Sequence, residues 1–145
     1  MNTLTLTAEL HDQRNTSWQS GYARQGKYDT TLHRGLIVFP DLANGVFKGK
    51  TIKNILLKFV SASAGRAGNK TLHIYTTTKN APGGTSTAWI NSANKAGILK
   101  ETFYNNTKTF SDLATSNMGL FEKLKTFLEN GGQSLGIFIN ESVTS

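Results

Sequence analysis

Serine catalysis needs a hydroxyl held on a sharp turn beside a base, and metal catalysis needs histidines and acids at short fixed spacings. The chain offers neither. No serine stands in a Gly-x-Ser-x-Gly turn, and His11, His33 and His73 form no His-x-x-x-His or His-Glu pair, so each is expected in an ordinary surface or packing role. A glycosidase needs two carboxylates facing one another across a cleft. Asp12, Asp29, Asp41, Asp112 and Glu141 are scattered along the sequence, and nothing singles out a pair. A structural calcium is possible but no calcium-loop spacing supports it, and the absence of cysteine excludes thiol catalysis, disulfides and thiolate zinc sites. The expectation is a protein that is not an enzyme, has no catalytic residue, metal or cofactor, and works by binding.

Binding chemistry is richest between Trp18 and Tyr28, a stretch that reads Trp-Gln-Ser-Gly-Tyr-Ala-Arg-Gln-Gly-Lys-Tyr. Flat aromatic faces suit the apolar faces of sugar rings, and amides and guanidinium groups pair with the hydroxyls around them. Trp18, Gln19, Tyr22, Arg24 and Tyr28 are therefore candidate ligand contacts. A second polar and aromatic group, Trp89, Asn91, Tyr104, Asn105 and Asn106, extends the set. The competing reading makes Trp18 or Tyr28 a core plug and the tandem asparagines a hairpin tip. Burial of Trp18, Tyr22, Tyr28, Trp89 and Tyr104 favours an assembly role, whereas their gathering on one open surface favours a sugar site.

Charge supplies a third candidate. The net charge is +7, and residues 1–80 hold 11 Lys and Arg against 4 acids, while residues 81–145 hold 5 of each. A basic half suits a polyanion such as a charged polysaccharide, teichoic acid or nucleic acid, or serves as a solubilising surface. The densest basic patch is Lys48, Lys50, Lys53 and Lys58, with Arg66 and Lys70 across the following hairpin. Nucleic acid is the least expected of these partners, because the nearest aromatic, Phe59, patterns as core and no recognition motif is present.

These residues must be carried by strands. Leu4, Leu6, Ala8 and Leu10 alternate with Thr3, Thr5, Thr7 and Glu9, which predicts a half-buried strand, and His11 to Leu32 has no period and reads as a long loop. Leu36 to Phe39 and Ile52 to Val60 read as strands, and Thr71 to Thr77 reads as the hairpin partner of the second. Two or three short strands are expected between Thr85 and Phe110. Gly119 to Asn130 breaks the pattern, because Leu120, Phe121, Leu124, Phe127 and Leu128 recur at helical spacing before Asn130-Gly131-Gly132. Leu135, Ile137 and Ile139 close the chain as a final strand. At 145 residues the chain fits one domain, residues 1–145. Short strands, turn residues and a single helix predict an all-β, jelly-roll-like antiparallel β-sandwich with one short amphipathic helix near the C-terminus. There is no repeat for a solenoid, and helices are too few for a parallel α/β fold. No apolar run is long enough to span a bilayer and no signal peptide is readable, so no membrane insertion is expected.

The order of elements carries a resemblance. Arg34-Gly35-Leu36-Ile37-Val38-Phe39-Pro40-Asp41-Leu42, then Lys50-Thr51-Ile52-Lys53-Asn54-Ile55-Leu56-Leu57-Lys58-Phe59, then Leu72-His73-Ile74-Tyr75, resembles the DNRLRE-type jelly-roll domains. The run from Phe121 to Gly132, followed by Leu135-Gly136-Ile137-Phe138-Ile139, is similar to that family's short helix, turn and last strand. The likeness spans roughly residues 4–140. Ile55, where the family tends to a small residue, and the stretch from Trp89 to Lys108 depart from it. The resemblance implies a carbohydrate-binding module of a phage tail or baseplate protein or of a secreted polysaccharide-active protein, located outside the cell or on a virion. Its implied partners are bacterial cell-wall or surface polysaccharide and other tail proteins. Weak sites would be reinforced by repetition in a homo-oligomer. The alternatives are an assembly module making protein contacts and a polyanion binder using the basic first half.

Overall fold

The computed structural model describes residues 3–28, 30–61, 69–84 and 88–139, and of Tyr28 the backbone alone. The first strands are β1 (Glu9–Arg14), β2 (Ser17–Ser20), β3 (Gly26–Tyr28) and β4 (Thr31–Val38). After a short 3-10 turn come β5 (Leu57–Ser61), β6 (Asn69–Thr77), helix α1 (Ala88–Asn91), β7 (Asn94–Thr102) and β8 (Asn106–Phe110). Helices α2 (Leu113–Ser116) and α3 (Met118–Glu129) precede the last strand, β9 (Ser134–Ile137). The fold is an antiparallel β-sandwich with unequal layers. Seven strands form the large sheet, in the order β2-β1-β4-β9-β6-β7 with β3 also on β4, and β5 and β8 form a two-stranded ribbon.

Alternation along the central strands explains the layers. Ile37, Ile74, Leu99, Leu135 and Ile137 face one way and meet Leu113, Leu120, Phe121 and Leu124, with Leu57, Phe59 and Phe110 of the ribbon packed against them. Leu36, Val38, Tyr75 and Phe138 face the other way, where Trp89 and Ile90 of α1 cover them. Both faces of the large sheet are thus buried along β4, β6 and β9, and each has its own apolar cluster.

Helix α3 starts at Asn117, whose Oδ1 accepts the Leu120 N–H at 3.3 Å while its Nδ2 donates to the Ile98 carbonyl at 3.1 Å. That one side chain satisfies a free helix N–H and ties the helix to β7. Gly97 lets the helix come close, because a Cβ there would lie 3.0 Å from that of Leu120. At the far end Glu129 accepts the Ile52 N–H at 2.7 Å and pairs with Lys125 at 2.9 Å.

Several expectations need correcting. Residues 3–8 join no ladder, and β1 begins only at Glu9. The stretch expected to be a loop, 11–32, is mostly sheet. Its lack of period has a physical cause: His11, Asp12 and Gln13 are buried in succession on both faces, so no apolar alternation is written there. The proposed hairpin partners are also separated. β5 pairs with β8 in the ribbon, whereas β6 lies in the large sheet between β7 and β9. The helix and final strand stand where the sequence put them, and β9 is central, between β4 and β6.

Candidate ligand-binding pocket

The β1–β2 hairpin turns at Asn15, which adopts a left-handed φ of 51°, a conformation asparagine tolerates better than most residues. Asn15 then serves β4. Its N–H donates to the Leu32 carbonyl at 2.8 Å, its Oδ1 accepts the Leu32 N–H at 3.1 Å, and its carbonyl accepts from the Arg34 guanidinium at 3.1 Å. These bonds fix the β1–β4 register, with Arg14 opposite His33 and Asp12 opposite Gly35. Asp12, Arg14 and His33 therefore share a face.

On that face His33 Nδ1 lies 2.9 Å from Asp12 Oδ2, and the Asp12 side chain has no exposed surface. Arg14 Nε is 3.9 Å from the same oxygen, beyond hydrogen-bond reach, and its side chain is 43% exposed. Asp12 Oδ1 has no hydrogen-bond partner among the described residues. A buried carboxylate is costly unless paired, so the His33 ring is held in place by its need for a partner.

The segment between β2 and β3 completes the wall. A Cβ on Gly35 would collide with Ile137 and would lie 2.8 Å from the Ala23 Cβ, so the bare glycine lets this segment lie across the sheet. Gln25 anchors the segment to β6 with its side chain, donating to the Thr71 carbonyl at 2.8 Å and accepting the His73 N–H at 2.7 Å, as a strand's peptide group would. Between these anchors Arg24 sits with its guanidinium 4.6 Å from the centre of the Tyr22 ring. Arg14, Asn15, Ser17, Arg24, Thr31 and His33 enclose an open pocket of about 390 Å³. Two guanidinium groups and an imidazole line it, and among the described residues no carboxylate does.

The predicted contacts divide. Arg24 lines this pocket, Tyr22 supports it from a half-buried position, and Gln19 is exposed on β2. Trp18 and Trp89 come together on the opposite face, ring centres 6.1 Å apart, as packing. Trp89 is buried and donates from Nε1 to Gln13 Oε1 at 3.0 Å; Trp18 is half-buried, donates to the Gly84 carbonyl at 3.0 Å and carries Lys79 Nζ 5.3 Å over its ring. Asn91 is exposed at the end of α1. Tyr104 and Asn105 are exposed on the β7–β8 turn, beyond the edge strand opposite β2. The Tyr28 side chain lies outside the described residues.

The basic residues are spread over several elements. Lys48, Lys50 and Lys53 are exposed on the segment before β5, Lys58 on the ribbon, and Lys70 is half-buried on β6; Arg66 lies outside the described residues. Lys70 borders a second hollow, of about 370 Å³, with Lys100 and Glu101. Glu101 accepts the Thr102 N–H and faces Lys108, and these contacts hold its carboxyl below the usual carboxylate range.

Sequence alone does not single out Arg14, Asn15, Ser17, Thr31 and His33 as pocket residues, nor does it show that His33 meets Asp12. The available signal was Asn15-Thr16 between two short polar runs, a turn that implies a hairpin. Among the described residues no three His, Asp or Glu side chains gather to hold a metal, and no helix is long and apolar enough to cross a membrane. No family model matches the chain, and comparison with curated proteins and with solved structures found no match.

Proposed function

We propose that this chain is a non-catalytic binding module for acidic bacterial surface polysaccharide, and that the pocket between β1, β4 and the segment before β3 is its site. One observation carries the reading: Arg14, Arg24 and His33 line a single pocket with the hydroxyls of Ser17 and Thr31 and the amide of Asn15, while the Asp12 carboxylate beside His33 has no exposed surface. Guanidinium groups bind an acidic substituent, and the hydroxyls and amide suit the polyol around it. A phage tail or baseplate setting is part of the proposal through the DNRLRE-type resemblance alone. The test is a glycan array carrying acidic and neutral cell-surface polysaccharides, with Arg24→Ala beside the parent chain. Acidic glycans are expected to bind and the variant to lose them. Absence of binding at millimolar acidic sugar rejects the proposal.

A second reading, an assembly module, is favoured by a different observation. Leu56 and Val60, beside and on the two-stranded ribbon, are 58% and 76% exposed. Large apolar side chains so placed suit a protein contact. Sedimentation that finds a monomer whose behaviour is unchanged by Val60→Lys removes self-association through this face.

A further inference from the structure

We infer that the group taken by this pocket is the phosphodiester of a polyol-phosphate or sugar-phosphate chain, bound by Arg14, Arg24 and the His33 ring nitrogen that Asp12 leaves free. The inference rests on the acidic-polysaccharide reading and narrows its ligand. Asp12 occupies His33 Nδ1 at 2.9 Å, so Nε2 is the nitrogen available to a ligand. Arg14 comes from β1 and Arg24 from the segment before β3, so donors approach from separate walls. A planar carboxylate is satisfied by one bidentate arginine, and a second guanidinium and an imidazole would then be left unpaired in the same hollow. A tetrahedral phosphate offers oxygens in several directions and engages all three. Ser17 and Thr31 remain for neighbouring polyol hydroxyls, and about 390 Å³ leaves room for them.

Nucleic acid supplies the same phosphodiester but fits less well. Single-stranded DNA or RNA is held by bases stacked on aromatic faces beside the charged groove. Arg24 covers the Tyr22 ring, and Trp18 and Trp89 pack on the other face of the sheet.

With Nδ1–H given to Asp12, His33 meets a phosphate oxygen through Nε2–H in its protonated form.

The experiment is calorimetric titration of the full chain with a poly(glycerol phosphate) chain, a uronic-acid polymer, neutral dextran and a single-stranded oligonucleotide. Glycerol-phosphate polymer is expected to bind, with inorganic phosphate competing. Arg24→Ala and Arg14→Ala are each expected to weaken it about tenfold or more. Both arginines are exposed, so these variants test the site without depending on the buried pair. Equal or tighter binding of the uronic-acid polymer overturns the phosphate assignment and leaves the acidic-polysaccharide reading standing. Failure of both acidic polymers overturns both. An oligonucleotide that binds as tightly as the polyol-phosphate chain, or an Arg24→Ala variant of unchanged affinity, also overturns the assignment.

Discussion

Asp12 is the residue on which the pocket wall depends, because a carboxylate without exposed surface tolerates little change around it. Among the described residues its nearest partner is His33, with Arg14 farther off at 3.9 Å. Replacing His33 with alanine strands the charge, and removing one member of a buried pair costs about 3–5 kcal/mol. The double variant Asp12→Asn with His33→Gln is expected to lose less, since no charge is left behind. Urea unfolding of the three proteins measures the difference, and a double variant as unstable as His33→Ala contradicts the pairing. Gly35 makes a second demand at this scale. A methyl group there meets Ile137 and Ala23, neither of which can swing aside as a flexible chain end does. Gly35→Ala is therefore expected to cost about 1–3 kcal/mol as overpacking, and to displace Arg24 with the segment that carries Ala23. Denaturant midpoints and ligand affinity should fall together.

At the scale of elements, α3 is held at both ends by single side chains, Asn117 to β7 and Glu129 to the segment before β5. The Ile52 N–H, and after it Lys125, hold the Glu129 carboxyl below the usual carboxylate range. A carboxyl depressed by folding adds stability above its unfolded pKa, and that contribution is lost as pH falls through the folded value. Stability should thus drop from the ordinary carboxylate range downward. Glu129→Gln should be less stable near neutrality and show a shallower acid limb, as thermal midpoints across a pH series would record. Parallel acid limbs in the two proteins would contradict this role. The 11–32 stretch belongs to the same scale. Strand β1 is not legible as a strand because His11, Asp12 and Gln13 fill its buried positions, and β2 and β3 are short strands with no run of buried apolar residues to mark them.

For the whole molecule, the excess positive charge and the open pocket act together. With 11 basic residues against 4 acids in the first 80, an acidic polymer is attracted before contact. Such attraction is screened over about 8 Å at physiological ionic strength and about 3 Å at 1 M salt. Affinity for acidic polysaccharide should fall steadily with added salt, and neutral sugars should show no such slope. Titrations at low and high salt check it, and an unchanged affinity would remove charge from the recognition.

The sequence by itself determined the all-β class, the helix after Gly119, the last strand and the inward sets Leu36, Ile37 and Leu135, Ile137. Each of these is a local matter of period and of side chains that leave water. Pattern alone pairs β5 with β6 as a hairpin, and only the packing of the ribbon on the large sheet sends β5 to β8. The pocket was hidden for the same reason. Asp12 and His33 stand 21 residues apart, and they meet because the Asn15 turn sets a register across β1 and β4, a contact that neither residue type nor spacing encodes. Tertiary structure also withdrew Trp89 from ligand duty, because an indole that fills one apolar cluster and bonds to a buried glutamine has no face left to offer.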